Sequence, residues 1–220
     1  MHRIAIALLL MVVTGPLFAA KPLKAPAKGK IPVAFVLTEG ATMIDFAGPW
    51  EVFQDVAASG GDRGFQLYTV GASRDPIRTS GGMTVVPEFT FADAPVPRVV
   101  VIGAQQGAPA LADWLRRVRR EADVVMSVCT GAFHLGSAGL LDGKPATTHH
   151  AFYDRLEQRF PHVRVQRGRR FVQSDDVVYT AGGLSSGIDL ALHVVERYYG
   201  RAAAEETAAY MEYQGTDWKR

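Results

Sequence analysis

A chain of 220 residues, 48% of them apolar, is long enough for one α/β domain with a sizeable core and excludes extended disorder. Its formal net charge of +2 comes from the N-terminus. With Arg3, Lys21, Lys24, Lys28 and Lys30 set aside, 19 of the 24 basic residues face 22 acids, a balance of −3 from Ile31 onward. A nucleic-acid partner is therefore not indicated, and the clusters Arg116, Arg117, Arg119, Arg120 and Arg164, Arg167, Arg169, Arg170 read as solvated faces.

Arg3 opens a short positive region, Ile4 to Val13 is an almost unbroken apolar run, and Gly15-Pro16 breaks it before Ala19-Ala20. Residues 1–20 thus read as a secretory signal peptide, which places the protein in the periplasm or outside the cell. An uncleaved anchor is the other form such a leader takes. Once the leader is removed, no membrane association is expected. Residues 21–30 (KPLKAPAKGK) read as a flexible tether with nothing to pack, and the domain runs over 31–220.

Ile31 to Leu37 has the form of a buried parallel strand. From Asp45 to Ala58 the spacing is helical, with Phe46, Trp50, Phe53 and Val56 on one face, and Gly60-Gly61 ends the element. Phe65 to Val70 is the next strand. Ile77 to Thr79 and Met83 to Val86 flank Ser80-Gly81-Gly82, a hairpin signal. Val99 to Ile102 is a buried run, Pro109 to Ala122 an amphipathic helix, and Val124 to Val128 another buried run leading into Cys129-Thr130-Gly131 and a helix from about Ala132. Ala151 to Phe160 is helical and stops at Pro161. Short strands follow at Val163 to Gln166, Phe171 to Ser174 and Val177 to Ala181. Helices at Ser186 to Tyr199 and Arg201 to Tyr213, parted by Gly200, close the chain. Such alternation implies a mainly parallel sheet with helices on both faces, and ligands in such sheets bind at the carboxyl ends of the strands.

The chain has one cysteine, which makes an intrachain disulfide impossible. In an oxidising compartment a lone thiol is buried and inert, paired with another chain, or kept for its reactivity. Strand–Cys–Thr–Gly–helix follows the logic of a nucleophile elbow: the turn lifts Cys129 out of the sheet edge, Gly131 leaves room for the bend, and the helix start favours thiolate. Asp45 projects from the same sheet edge, either as a proton-shuttling partner for the sulfur or as the N-cap of the first helix. His149 and His150 are neighbours at the end of a strand-like run and should face opposite ways, so one of them at most joins the site. His134 is expected on the helix flank. No further His or Cys stands at ligand spacing, so neither a metal nor a cofactor is indicated.

Ile44 to Phe53 (IDFAGPWEVF), Ser127 to His149 (SVCTGAFHLGSAGLLDGKPATTH) and Tyr179 to Glu196 (YTAGGLSSGIDLALHVVE), with the first strand, together resemble the ThiJ/PfpI superfamily over Ile31 to Tyr213. The resemblance implies a flavodoxin-like, class I glutamine amidotransferase-like sandwich and a homodimer. An aspartate in the first motif together with C-T-G is similar to the isonitrile hydratase branch. That likeness implies a lyase acting on a small molecule, in which the Cys129 thiolate attacks an isonitrile carbon, Asp45 acts as general acid/base and Thr130 positions the intermediate. Water would then release an N-substituted formamide. His149 carries over as a site-lining residue, and Gly103, Ala104 and Gly131 as substrate- or oxyanion-binding positions. The family's usual P-G-G segment is here Ile102-Gly103-Ala104, followed by Gln105, which implies an anion pocket of altered shape. Two other readings stay open: a redox-responsive periplasmic thiol protein without turnover, and a ligand-binding domain related to the sensor modules of AraC-type regulators.

Overall fold

The computed structural model describes residues 22–56 and 64–219; the leader and the Gly60-Gly61 helix stop lie outside them. In chain order the elements are β1 (Ile31–Val36), α1 (Met43–Gln54), β2 (Phe65–Gly71), β3 (Ile77–Arg78), β4 (Thr84–Val85), β5 (Phe89–Thr90), β6 (Val99–Ile102), α2 (Leu111–Val118), β7 (Val124–Ser127), α3 (Ala132–Ser137), β8 (Pro145–Ala146), α4 (Tyr153–Arg159), β9 (Arg164–Val165), β10 (Phe171–Gln173), β11 (Val178–Ala181), α5 (Ser186–Tyr199) and α6 (Arg201–Tyr210). Short 3₁₀ turns occur at Cys129–Gly131, His150–Phe152 and Asp217–Lys219.

Seven strands form one sheet in the order β10-β11-β7-β6-β1-β2-β5. All its neighbours run parallel except β10, which is antiparallel to β11. The period-2 geometry of the strands decides the layering. Val33, Phe35, Val99, Val101, Val124 and Met126 point to one face, where they meet Val52 and Phe53 of α1, Leu190 and Val194 of α5, and Ala204 of α6. Ala34, Val36, Val100, Ile102 and Val125 point to the other, against Trp114 and Leu115 of α2, Leu135 of α3 and Leu156 of α4. Each Val, Leu, Ile, Phe or Met among them, fully withdrawn from water, contributes about 1.5–3 kcal/mol. The outcome is a three-layer α/β/α sandwich.

Three departures from the sequence reading have plain physical causes. Residues 22–30 are not a free tether: Leu23 and Ala25 pack on the α1/α5 face, and Leu23 N–H donates to Arg197 O at 2.8 Å. Helix α2 starts at Leu111 rather than Pro109, because Ala110 takes a left-handed conformation at φ 61°. Several arginines of the two clusters are paired rather than merely solvated, among them Arg119 with Asp175 at 2.9 Å and Arg170 with the buried Asp189 at 2.6 Å. Among the described residues no helix is long and apolar enough to cross a membrane.

Candidate active site

The end of β7 turns sharply at Cys129, whose φ of 57° places a side chain in a conformation that L-residues rarely adopt. Its own backbone holds the strain. Cys129 N–H donates to Gly182 O at 2.7 Å, and Cys129 O accepts from Thr148 Oγ1 at 2.8 Å. Gly131 makes the turn possible sterically: a Cβ there would lie 2.2 Å from Ile102 O. The Gly131 N–H is itself taken by Val128 O at 2.9 Å, so this residue supplies room for the turn and leaves no free donor for an oxyanion.

Asp45 reaches the same point from α1. The loops after β1 and β6 are laced together by Thr42 N–H to Ala104 O at 2.8 Å, Gln106 N–H to Glu39 O at 2.9 Å and Thr38 Oγ1 to Gln106 O at 2.6 Å. Close helix packing fixes the approach of α1 to α5: a Cβ on Gly48 would stand 3.0 Å from Ile188, and one on Gly187 would stand 2.9 Å from Val128 and 3.2 Å from Pro49. Asp45 is thereby fully buried, and its Oδ2 accepts from Ala104 N–H at 2.9 Å. It caps no helix end. Gly103 must be glycine for this carboxyl to fit, since a Cβ would come within 2.6 Å of Asp45 Cβ. Ala104 N–H, committed to Asp45, is likewise not free for an oxyanion.

Burial pushes the Asp45 carboxyl up from its ordinary 3.8 to about 6, against the opposing pull of Ala104 N–H and the Cys129 thiol. Burial, then the Asp45 charge, pushes the Cys129 thiol up to about 11, although the N–H groups of Thr130 and Leu184 are aimed at the sulfur. The expectation that the turn favours thiolate is therefore overturned. A short 3₁₀ turn and two N–H groups do not outweigh desolvation at 7% exposure with a carboxylate alongside. The resting pair is carboxylate and thiol. Forming thiolate here therefore requires that the proton be moved to a base.

His149 and His150 do not face opposite ways. Their rings stack with centroids 4.5 Å apart, because His149 caps a 3₁₀ turn rather than ending a strand. His149 Nδ1 accepts from Ala151 N–H at 3.2 Å, which leaves the proton of the neutral ring on Nε2. Its ring packs on Gly183, where a Cβ would be 2.3 Å away. Burial and the neighbouring His150 both hold it below the ordinary histidine range. With Thr148, Gly182 and Leu184 it borders a cleft of about 340 Å³ on one side of the elbow. Thr130 borders a second cavity on the other side, together with His134. Among the described residues no group of three or more His, Cys, Asp or Glu could hold a metal ion.

Sequence reasoning missed Leu184, whose N–H reaches the sulfur and whose φ of 50° is a second left-handed non-glycine at the site. It also missed the Thr148 hydroxyl that pins the Cys129 carbonyl.

With the fold and this turn in view, a family model described as the DJ-1/PfpI family matches residues 32–197. The chain belongs to the DJ-1/PfpI family. Its class I glutamine amidotransferase-like sandwich follows from that membership and from the parallel sheet. Isonitrile hydratase from Pseudomonas putida is 34% identical over 187 residues, 82% of this chain and 78% of that protein. A ThiJ/PfpI family protein from Pseudomonas syringae superposes with a TM-score of 0.71 at 28% identity, covering 88% of this chain and 79% of the other. The family also reaches transcription factors: the HTH-type regulator GbdR from Pseudomonas aeruginosa is 26% identical over 81% of this chain, which spans 50% of that protein.

Proposed function

We propose that this DJ-1/PfpI member is a cysteine-dependent lyase that hydrates an isonitrile to an N-substituted formamide. The observation that carries the reading is a left-handed Cys129 held beside a buried, elevated Asp45 carboxyl. The similarity to isonitrile hydratase supports it.

The chemistry balances on these groups. Asp45 takes the thiol proton as Cys129 Sγ bonds to the terminal isonitrile carbon, then returns that proton to the same carbon, giving a thioimidate, Cys–S–CH=N–R. Thr130 and Leu184 N–H groups stabilise charge on the sulfur while it is transiently anionic. Water adds to the thioimidate carbon with Asp45 as base, the nitrogen is protonated, and the C–S bond breaks to release the formamide and the thiol.

Formamide production from a simple alkyl isonitrile tests this, with Cys129→Ala run beside the native protein. The variant should show no turnover; an active Cys129→Ala protein would refute the mechanism. A ligand-binding module is the second reading, favoured by the regulator relatives, and isonitrile binding without turnover in the native protein would select it. The redox reading is disfavoured, since oxidation follows thiolate character and exposure and Cys129 has little of either.

Export and dimerisation belong to the same proposal. Export rests on residues 1–20, and N-terminal sequencing of secreted or periplasmic protein tests it. Dimerisation is supported by Met43, Ile44 and Leu184, exposed apolar side chains in the segments that carry Asp45 and the Leu184 N–H, and sedimentation equilibrium tests it.

A further inference from the structure

The Leu184 N–H reaches the Cys129 sulfur from a backbone at φ 50°, and nothing about Leu184 itself keeps it there. Its side chain is exposed, so packing within the chain does not hold it. Its two flanks are held instead, and both by one residue. On one side, Gly182 O accepts from Cys129 N–H at 2.7 Å while Gly182 N–H donates to Arg170 O at 2.8 Å. On the other, the Arg170 guanidinium donates to Ser185 Oγ from Nη1 and Nη2, each at 3.3 Å, and to Asp189 Oδ2 from Nε at 2.7 Å.

Two features set this contact apart from an ordinary surface ion pair. Asp189, in the first turn of α5, is 1% exposed. A carboxylate so buried gains little net stability from its partner, and what the pair fixes is geometry. Ser185 stands at the N-cap of α5, where a serine hydroxyl ordinarily accepts from a helix N–H, yet it makes no such bond. Its oxygen is turned to Arg170 instead. Arg170 immediately precedes β10, the antiparallel edge strand, so its side chain ties the sheet edge to the start of α5 across the loop that carries Leu184.

We infer that Arg170 is a positioning residue, with Ser185 and Asp189 as its anchors: it clamps residues 182–185 so that the Leu184 N–H stays on the Cys129 sulfur. Thr130 N–H, the other donor at the sulfur, belongs to the nucleophile turn itself and stands outside the clamp. For the reaction proposed above, on which this consequence rests, the clamp preserves one of the two donors that meet the charge on the attacking sulfur.

Cys129 is the only cysteine, so its alkylation by iodoacetamide at pH 9 reads the sulfur without substrate. Arg170→Lys keeps a charge for Asp189 but lacks the fork that also spans Ser185. Ser185→Ala removes one anchor alone, and since Ser185 caps nothing, its urea midpoint should match the native one. Each variant should alkylate about fivefold or more slowly, because a thiolate that loses a donor forms less readily. Ser185→Thr, which keeps the hydroxyl, should match the native rate. Alkylation of Ser185→Ala and Arg170→Lys at or above the native rate, or Ser185→Thr slowed as much as Ser185→Ala, overturns the inference. In the kinetic arm, kcat for formamide production from an alkyl isonitrile should fall about fivefold or more in both variants, with KM little changed. Slowed alkylation with an unchanged kcat would refute the clamp's part in hydration. Slowed alkylation with no turnover even in the native protein would uphold the clamp and refute hydration.

Discussion

Replacing Asp45 by Asn should make the protein more stable and less active at once. Asp45 has no exposure, and burial lifts its carboxyl from 3.8 to about 6. The unfolded chain therefore gives up this proton more readily than the folded one. Below pH 3.8 the carboxyl costs the fold nothing; the cost grows as the pH rises to 6 and is complete above it. The gap is worth about 3 kcal/mol at pH 7.5. Asn conserves volume and keeps an oxygen for Ala104 N–H, but sets an amide beside the thiol in place of a carboxyl, so a net gain of about 1–3 kcal/mol is expected. Urea unfolding at pH 7.5 and pH 4, compared by midpoint at constant slope, measures it. The gain should shrink toward zero at pH 4, while formamide production at pH 7.5 falls by at least about a hundredfold. A stability difference equal at both pH values, or an Asn variant less stable than the native protein at pH 7.5, would refute the reasoning.

The pH profile of kcat/KM should rise through about pH 6 as Asp45 ionises, then stay level to pH 9, because the Cys129 thiol holds its proton to about 11; a profile rising instead near pH 8 would point to an unassisted thiolate. Gly103→Ala should fold yet lose about tenfold or more in kcat/KM, since its Cβ would displace Asp45 from 2.6 Å away. Gly131→Ala should instead lose about 3 kcal/mol of stability, because the obstacle at 2.2 Å is backbone oxygen that has nowhere to go. Urea melts and activity assays on the pair would contradict the assignment if the two losses were exchanged.

The sheet's central strands were legible because burial on both faces leaves continuous apolar runs, and Val99–Ile102 has the bounds its composition suggests; helix α5, Ser186–Tyr199, was legible by its end at Gly200. Strands of two residues, such as Phe89–Thr90 and Pro145–Ala146, are too short to carry a period and exist only through their partners. At the site, side chains announced themselves and backbone did not. Cys129 and Asp45 stand out by type and by motif. The Leu184 N–H has no signature in sequence, and the Gln105 Nε2 is unpartnered only because Thr38 turns the amide. The protonation state of Cys129 was misread for a related reason. Local turn geometry favours thiolate, but long-range burial and the charge on Asp45 decide the matter.

Asp45 follows β1, Ala104 follows β6, Cys129 follows β7, and Gly182 and Leu184 follow β11. A chain emerging from its N-terminus therefore presents the thiol and its carboxylate before the strand that anchors Cys129 N–H and brings the Leu184 N–H exists. A fragment cut before Val178 would contain Cys129, Asp45 and Thr130 and still lack the anchor for the strained turn. The geometry at this sulfur belongs to the finished molecule: until β11 is in place, the site's side chains are present without the carbonyl that holds the turn.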